Sequence, residues 1–297
     1  MVGAEIAALA AALCWSFGGL IATRPVRALG AVRFNRVRMS LVFAMLSLAA
    51  LFNRGWWTLN REHFLILIVS ALIGICLGDT SYYGALKRLG PRRSGILFAT
   101  NAPITAILGY LVLDERLPAQ TSIGCALIMT GVFLAVFFGT VEGQQHSFEK
   151  VRGSLPAGVV MALFAAVCQA VSVIIVRPVM ASGVDAVAAS ALRVGTAAVI
   201  LSSILVVRPL QNLPVVPLTW KLLGQVTLSG LVGMALGMTF LLFALAYGPA
   251  GLVSTLSATS PILILPILWA VTRERPAVGA WVGAVMAVAG AGCIFNT

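Results

Sequence analysis

The phrase LGDTSYYGAL, residues 77–86, sets an acid, Asp79, inside an otherwise apolar stretch, with Tyr82 and Tyr83 three and four residues on. In a helix those spacings put both phenols beside the carboxylate, as one polar and aromatic wall. Such a wall suits an amine or an amino acid. The same acid also suits a structural ion pair, and the two roles are compatible. A near copy, LGMTFLLFAL at 236–245, keeps the Leu, Gly, Thr, Ala and Leu positions but has Met238 where the first has Asp79.

Asp79 lies eight residues before Lys87, about 12 Å from that helix end at 1.5 Å per residue. An acid at such depth in a bilayer costs about 2.5–3.5 kcal/mol on insertion scales, so it pairs, faces a bundle interior or meets water. Arg38 is the expected partner, since it enters the second apolar stretch from the same side and to a similar depth. Arg193 is its counterpart later in the chain, where no acid is matched to it. It must snorkel, bind a carbonyl, borrow Glu5 or receive an anionic group of a substrate, and snorkelling is the expected outcome.

Trp15, Asn101 and Gln169 complete the candidate cavity groups, and Thr259 and Ser260 flank Pro261 as Asn101 precedes Pro103. Pro103 and Pro261 remove backbone donors within helices, which leaves either carbonyls facing a cavity or a simple kink. Gly74-xxx-Gly78 and Gly233-xxx-Gly237 are expected to let helices approach closely. Glu115-Arg116 and Glu274-Arg275 precede apolar stretches and are expected to cap those helices. Trp56 and Trp57 suit a membrane–water boundary.

The elements that position these groups follow from composition. Of 297 residues, 60% are hydrophobic and 10% charged, against about 25% charged in a soluble domain. Bilayer is therefore the expected solvent. Apolar stretches recur near 4–23, 33–52, 64–85, 94–113, 120–139, 155–176, 186–206, 220–242, 251–271 and 277–296. Each is long enough to cross about 30 Å of hydrocarbon as a helix. The first lacks a basic leading segment, so it is expected to be a span rather than a cleaved signal.

The polar stretch 141–153 divides the chain almost in half. Arg24-Pro25 matches Arg177-Pro178, Arg38 matches Arg193, Gly90-Pro91 matches Gly248-Pro249, and Gly124 and Gly131 match Gly283 and Gly290. So many special residues in one order indicate a tandem duplication of a five-helix unit, 1–140 and 154–297, joined by a linker at 141–153. An odd count of spans returns the chain to the opposite side, so the second unit is expected upside down. Inverted repeats are a transporter architecture, with the substrate held between them near the midplane.

These residues resemble the EamA family of the drug/metabolite transporter superfamily. The resemblance rests on an Arg opening the second helix of each unit (Arg38, Arg193), a Pro within the fourth (ATNAPITAIL, ATSPILILP), and an acid before the fifth (LDERL, TRERP). The glycines of IGCALIMTG and VGAVMAVAG complete it. It implies an all-α integral membrane protein of ten transmembrane helices in two inverted repeats, with a central cavity and small metabolites as cargo. The related small multidrug-resistance proteins carry a proton-exchanging Glu where ALCWSFGG has Trp15 and the second unit has Cys168-Gln169. That mechanism is not expected here.

Other functions fit poorly. The excess of 20 Lys and Arg over 9 Asp and Glu lies in short loops, where it meets lipid headgroups rather than nucleic acid. Five dispersed cysteines without a CxxC pair do not frame disulfides. His63 and His146 fall in polar loops, so neither metal nor cofactor is expected. An enzyme would need a nucleophile with a base, paired acids or a metal cluster, whereas the spans hold one deep acid.

The expectation is a multi-pass transporter of the cell (inner or plasma) membrane, exporting amino acids or related solutes, with lipid or lipid-linked flipping as the rival. Monomer and homodimer stay open. So does orientation: basic residues crowd the loops after odd-numbered helices, which favours an external N-terminus, whereas the resemblance implies internal termini.

Overall fold

The computed structural model describes residues 2–137, 154–207, 217–260, 262–263 and 277–295. The polar linker 141–153, Pro261, Glu274-Arg275 and most of the second half of the ninth expected span lie outside those residues. All regular secondary structure in the described residues is helical.

The first half supplies α1 (Val2–Leu29), α2 (Ala31–Phe52), α3 (Arg61–Leu89) and α4, which runs Pro91–Ala99 and resumes as Asn101–Leu113. It ends with α5 (Ala119–Phe137). The second half supplies α6 (Leu155–Ala181), α7 (Ala186–Val207), α8 (Trp220–Tyr247), α9 (Ala250–Ser257) and α10 (Val278–Phe295). Eight of these segments are long and apolar enough to cross a membrane. Several overrun the expected spans: α1 continues through Arg24-Pro25, and α6 through Arg177-Pro178. Hydropathy marks where hydrocarbon ends, and a helix can continue into the headgroup layer beyond it.

Connections are short. Gly30 alone joins α1 to α2, and Gly90 alone joins α3 to α4. Their φ values of +77° and +82° reverse the chain in a way that L side chains resist. Pro91 then starts α4, where its missing N–H is no loss. Asn60 caps α3 by accepting from His63 N at 2.8 Å. His63 therefore sits in a helix's first turn, not in a loop, with Nε2 3.2 Å from Ser182 Oγ.

The halves meet by reciprocal contacts. A Cβ on Gly18 of α1 would lie 2.6 Å from Gly233 of α8, and one on Gly74 of α3 would lie 2.3 Å from Ser172 of α6. Gly74 and Gly233 hold matched positions in the two halves, and Gly18 and Ser172 play the same part opposite them. Hydroxyls repeat the pattern: Ser229 donates to Gly18 O at 2.9 Å, and Ser70 donates to Ser172 O at 3.1 Å. Between α5 and α10, Gly124 faces Gly290 and Gly131 faces Gly283, an antiparallel register of backbone against backbone. Such exchanged contacts are what a two-fold axis generates.

Two features were not visible in the sequence. The middle of α3, Leu72–Asp79, and the middle of α8, Gly230–Leu236, are wound as π-helix. They fall at matched places, where the glycines meet α6 and α1. π-Turns are uncommon and concentrate at functional sites.

Gly131→Ala is expected to lower stability by about 1–3 kcal/mol, because its Cβ would meet backbone at 2.5 Å. Gly224→Ala, where nothing lies within 4 Å, is expected to cost nothing. Melting temperatures in detergent compare the two.

Candidate functional site

The deep acid and the deep arginine meet as expected. Arg38 NH2 lies 3.0 Å from Asp79 Oδ2, joining α2 to α3. The same guanidinium donates to Tyr83 OH and, at 3.1 Å, to Asn35 Oδ1. Asn35 donates in turn to Thr80 Oγ1 at 3.3 Å. Aromatic faces enclose the cation: its Cζ stands 4.7 Å from the Tyr83 ring centre and 5.3 Å from that of Phe34. Tyr82 stacks at a tilt on Phe98 of α4, centroids 4.8 Å apart, and meets Tyr83 edge-on.

Charge, acceptors and ring faces together let an arginine 3% exposed persist in apolar surroundings. The Asp79 side chain keeps 22% exposure, and its Oδ1 accepts no hydrogen bond from the described residues. One carboxylate oxygen is therefore available to a visitor.

Asp79 borders a cavity of about 150 Å³. Its wall takes Arg38, Asp79, Tyr82 and Tyr83 from the first half, with Trp15 of α1 and Asn101 of α4. The second half adds Gln169 of α6, Met238 of α8, and Ser254, Ser257 and Ser260 around α9. Seven of the eight expected site residues thus converge on one space. Trp15 fits because Gly237 has no side chain: a Cβ there would lie 2.8 Å from the indole nitrogen.

Arg193 is the exception, and snorkelling is overturned. It is 1% exposed, does not line the cavity, and makes no ion pair with Glu5. Its NH2 donates to Ser172 Oγ at 2.8 Å, and its NH1 stands 3.1 Å from Met238 Sδ. It starts two turns inside α7 and faces α3 and α6, which cover it.

Asn101 reaches the cavity but spends its amide on Phe98 O, at 2.7 Å, across the break at Thr100. Pro103 falls in the first turn after that break, which absorbs its missing donor. Thr259 is turned back on Leu256 O. Glu115 does not cap α5. Its Oε2 accepts from Ala250 N at 2.7 Å, at the start of α9, and its Oε1 lies 3.2 Å from Arg177 Nε. This ties the α4–α5 connection to the other half. Asn53 reaching Asp185 at 3.4 Å ties the halves again at the same end of the bundle.

Ser254 and Ser257 were missed by sequence reasoning. The signal was present: Ser254, Ser257 and Ser260 recur every third residue in LVSTLSATS, which places them along one side of a helix. Ser254 Oγ is buried at the cavity with no partner among the described residues.

An ion pair and a row of hydroxyls enclosed by long apolar helices define a multi-pass membrane protein built around an internal chamber with polar groups in a largely apolar wall. The EamA-like transporter family matches residues 2–137 and again 156–296, and this chain belongs to that family. An uncharacterized transporter of Archaeoglobus fulgidus is 24% identical over 140 residues, 47% of this chain and 49% of that protein. The uncharacterized transporter YetK of Bacillus subtilis is 26% identical over 111 residues, 36% of this chain and 34% of its own. A WAT1-related protein of Arabidopsis thaliana is 27% identical over 138 residues, 44% and 37% of the two chains. The matches thus span about half the length of these curated relatives or less. One solved crystal structure superposes with a TM-score of 0.77 over 99% of this chain and 96% of its own, at 16% identity, and so shares the fold.

Arg38→Gln and Asp79→Asn are each expected to destabilise the fold by about 3–5 kcal/mol, the cost of orphaning one member of a buried pair. The exchange Arg38→Asp with Asp79→Arg is expected to melt above the worse single exchange. A double variant no better than that single would show that the pair does not interact.

Proposed function

We propose that this protein is a secondary transporter that moves small metabolites by alternating access. Its two units, 1–140 and 154–297, joined by the linker 141–153, act as inverted repeats that rock about the cavity between them. The observation that carries this reading is the cavity itself. It takes a charged cluster from one half and Gln169 and hydroxyls from the other. Motion of one half against the other would therefore open and close it.

The reciprocal glycine and serine contacts support the inverted arrangement. The relatives known as transporters, in Archaeoglobus fulgidus and Bacillus subtilis, support transport rather than catalysis. The ties Glu115–Arg177 and Asn53–Asp185 join the halves at one end of the bundle, where one gate of an alternating-access cycle would sit. Asp79, Tyr82, Tyr83, Arg38, Trp15 and Gln169 would contact the solute. Asn101 would hold the α4 break, and Arg193 would act from behind the wall.

The solute class is amino acids and related metabolites, moved outward across the cell membrane. Asp79 Oδ1 would receive an amine, and the guanidinium beside it a carboxylate. A volume of about 150 Å³ is below the roughly 300–1,000 Å³ of pockets for drug-sized ligands, and it favours such solutes over a lipid tail.

Reconstituted vesicles loaded against a panel of labelled metabolites test the reading. Saturable flux of at least one amino acid or close relative is expected, falling about tenfold or more in Asp79→Asn. Absence of flux for every solute, with the fold intact, would sink the transporter reading. Movement of a fluorescent lipid instead would select flipping. Reporter fusions at each terminus fix the orientation.

A further inference from the structure

The two halves build the same arginine site twice and complete it once. In the first half Arg38 is met by Asn35, Asp79 and Tyr83, with Thr80 bonded to Asn35. At the matched positions the second half has Arg193, Ser190, Met238 and Leu242, with Thr239 Oγ1 3.4 Å from Ser190 Oγ. The polar strut between the helices survives, but the acid and the phenol are gone. Arg193 rests on a hydroxyl and a thioether. Its Nε, like that of Arg38, is buried without a hydrogen-bond partner among the described residues.

Both cations stand against α3. Arg38 reaches it at Asp79, and Arg193 NH2 lies 3.2 Å from where a Cβ on Gly74 would sit, five residues earlier. No second acid is near among the described residues. Glu5 and Glu62 occupy first turns of α1 and α3, and Asp114 follows the last residue of α4. Glu115 is engaged by Arg177 and Ala250 N, and Asp185 by Asn53 and Ala188 N. Among the described residues, the middle of the bundle therefore carries two guanidiniums against one carboxylate. Arginine keeps its charge in proteins, and a buried cation without an anion is costly in low dielectric.

The excess charge is next to the chamber. Arg38 lines it, and Arg193 is separated from it by the one side chain of Met238. We infer that the cavity selects solutes of net negative charge, small organic carboxylates whose own anion supplies the acid that Met238 lacks. An acidic amino acid satisfies every group at once: its amine meets Asp79 Oδ1, one carboxylate meets Arg38, and the second balances Arg193. Arg193 is then a specificity-determining residue that acts through its field rather than by touch. This rests on the transporter reading and narrows its substrate.

Glutamate and glutamine separate charge from shape. With the purified protein in detergent, glutamate is expected to raise the melting temperature at concentrations at least about tenfold lower than glutamine does. In vesicles it is expected to out-compete glutamine for flux by a similar factor. Met238→Glu supplies the missing acid and is expected to abolish that preference while melting at or above the wild-type temperature. Arg193→Gln is expected to abolish it too, and Arg193→Lys to keep it, whereas a merely structural role would move stability and leave the ratio alone.

Equal response to glutamate and glutamine, an unchanged ratio in both Met238→Glu and Arg193→Gln, or binding of neither amino acid with succinate also silent, overturns the inference. Glutamate-selective binding without flux of any solute would remove the transporter reading and keep the charge assignment. Flux of neutral amino acids with no preference for anions would do the reverse.

Discussion

Within hydrocarbon a backbone polar group has no water to turn to, so each departure from a straight helix must be satisfied by protein. The irregular points of this bundle all obey that constraint. The π-turns of α3 and α8 lie where glycines bring them against α6 and α1, each covered on one side by another helix. The α4 break at Thr100 is closed by Thr100 and Asn101 side chains bonding the carbonyls of Leu97 and Phe98. The turn after α9 is tied to α1 by Ser16 donating to Ser260 O and by Ser260 donating to Ala12 O.

Helix–helix contact without a hydrophobic driving force depends on close fit. Glycine and serine supply it here, and their lack of bulk has a second effect. The room left by Gly237 seats the indole of Trp15, and the room at Gly74 admits Ser172 beside Arg193. The residues that hold the halves together thus also shape the chamber between them. That is why the matched pairs Gly74/Gly233 and Gly78/Gly237 recur even where the chemistry around them has diverged.

Much of this was legible in the sequence. Apolar runs of helix length gave the elements, and matched special residues gave the doubling. Comparable depth from one face brought Arg38 to Asp79. Those signals are local, or depend on the chain's order. What escaped was set by contact between distant segments. Glu115 sits at the expected place, yet its partners, Ala250 N and Arg177, come from the other half. Arg193 looked free to reach a boundary because nothing in its own stretch showed that α3 and α6 would cover it. The π-winding has no residue signature beyond glycines that equally suit an ordinary helix. The serine row of α9 was readable by its spacing, but it competes with the same hydroxyls' habit of bonding their own backbone, as Ser257 and Ser260 do.

The exchanged contacts of α1 with α8 and of α3 with α6 are those of two like subunits about an axis, carried on one chain. In a true homodimer every substitution appears on both sides at once. Two arginines near the axis would be joined by two acids or by none, and their charges would sum to zero or to two. Covalent fusion lifts that restriction: one copy can gain or lose an acid while the other keeps its residue. An odd charge beside a symmetry axis, as set among the described residues by Arg38, Arg193 and Asp79, is closed to a homodimer and open to a molecule whose halves are inherited together and edited apart.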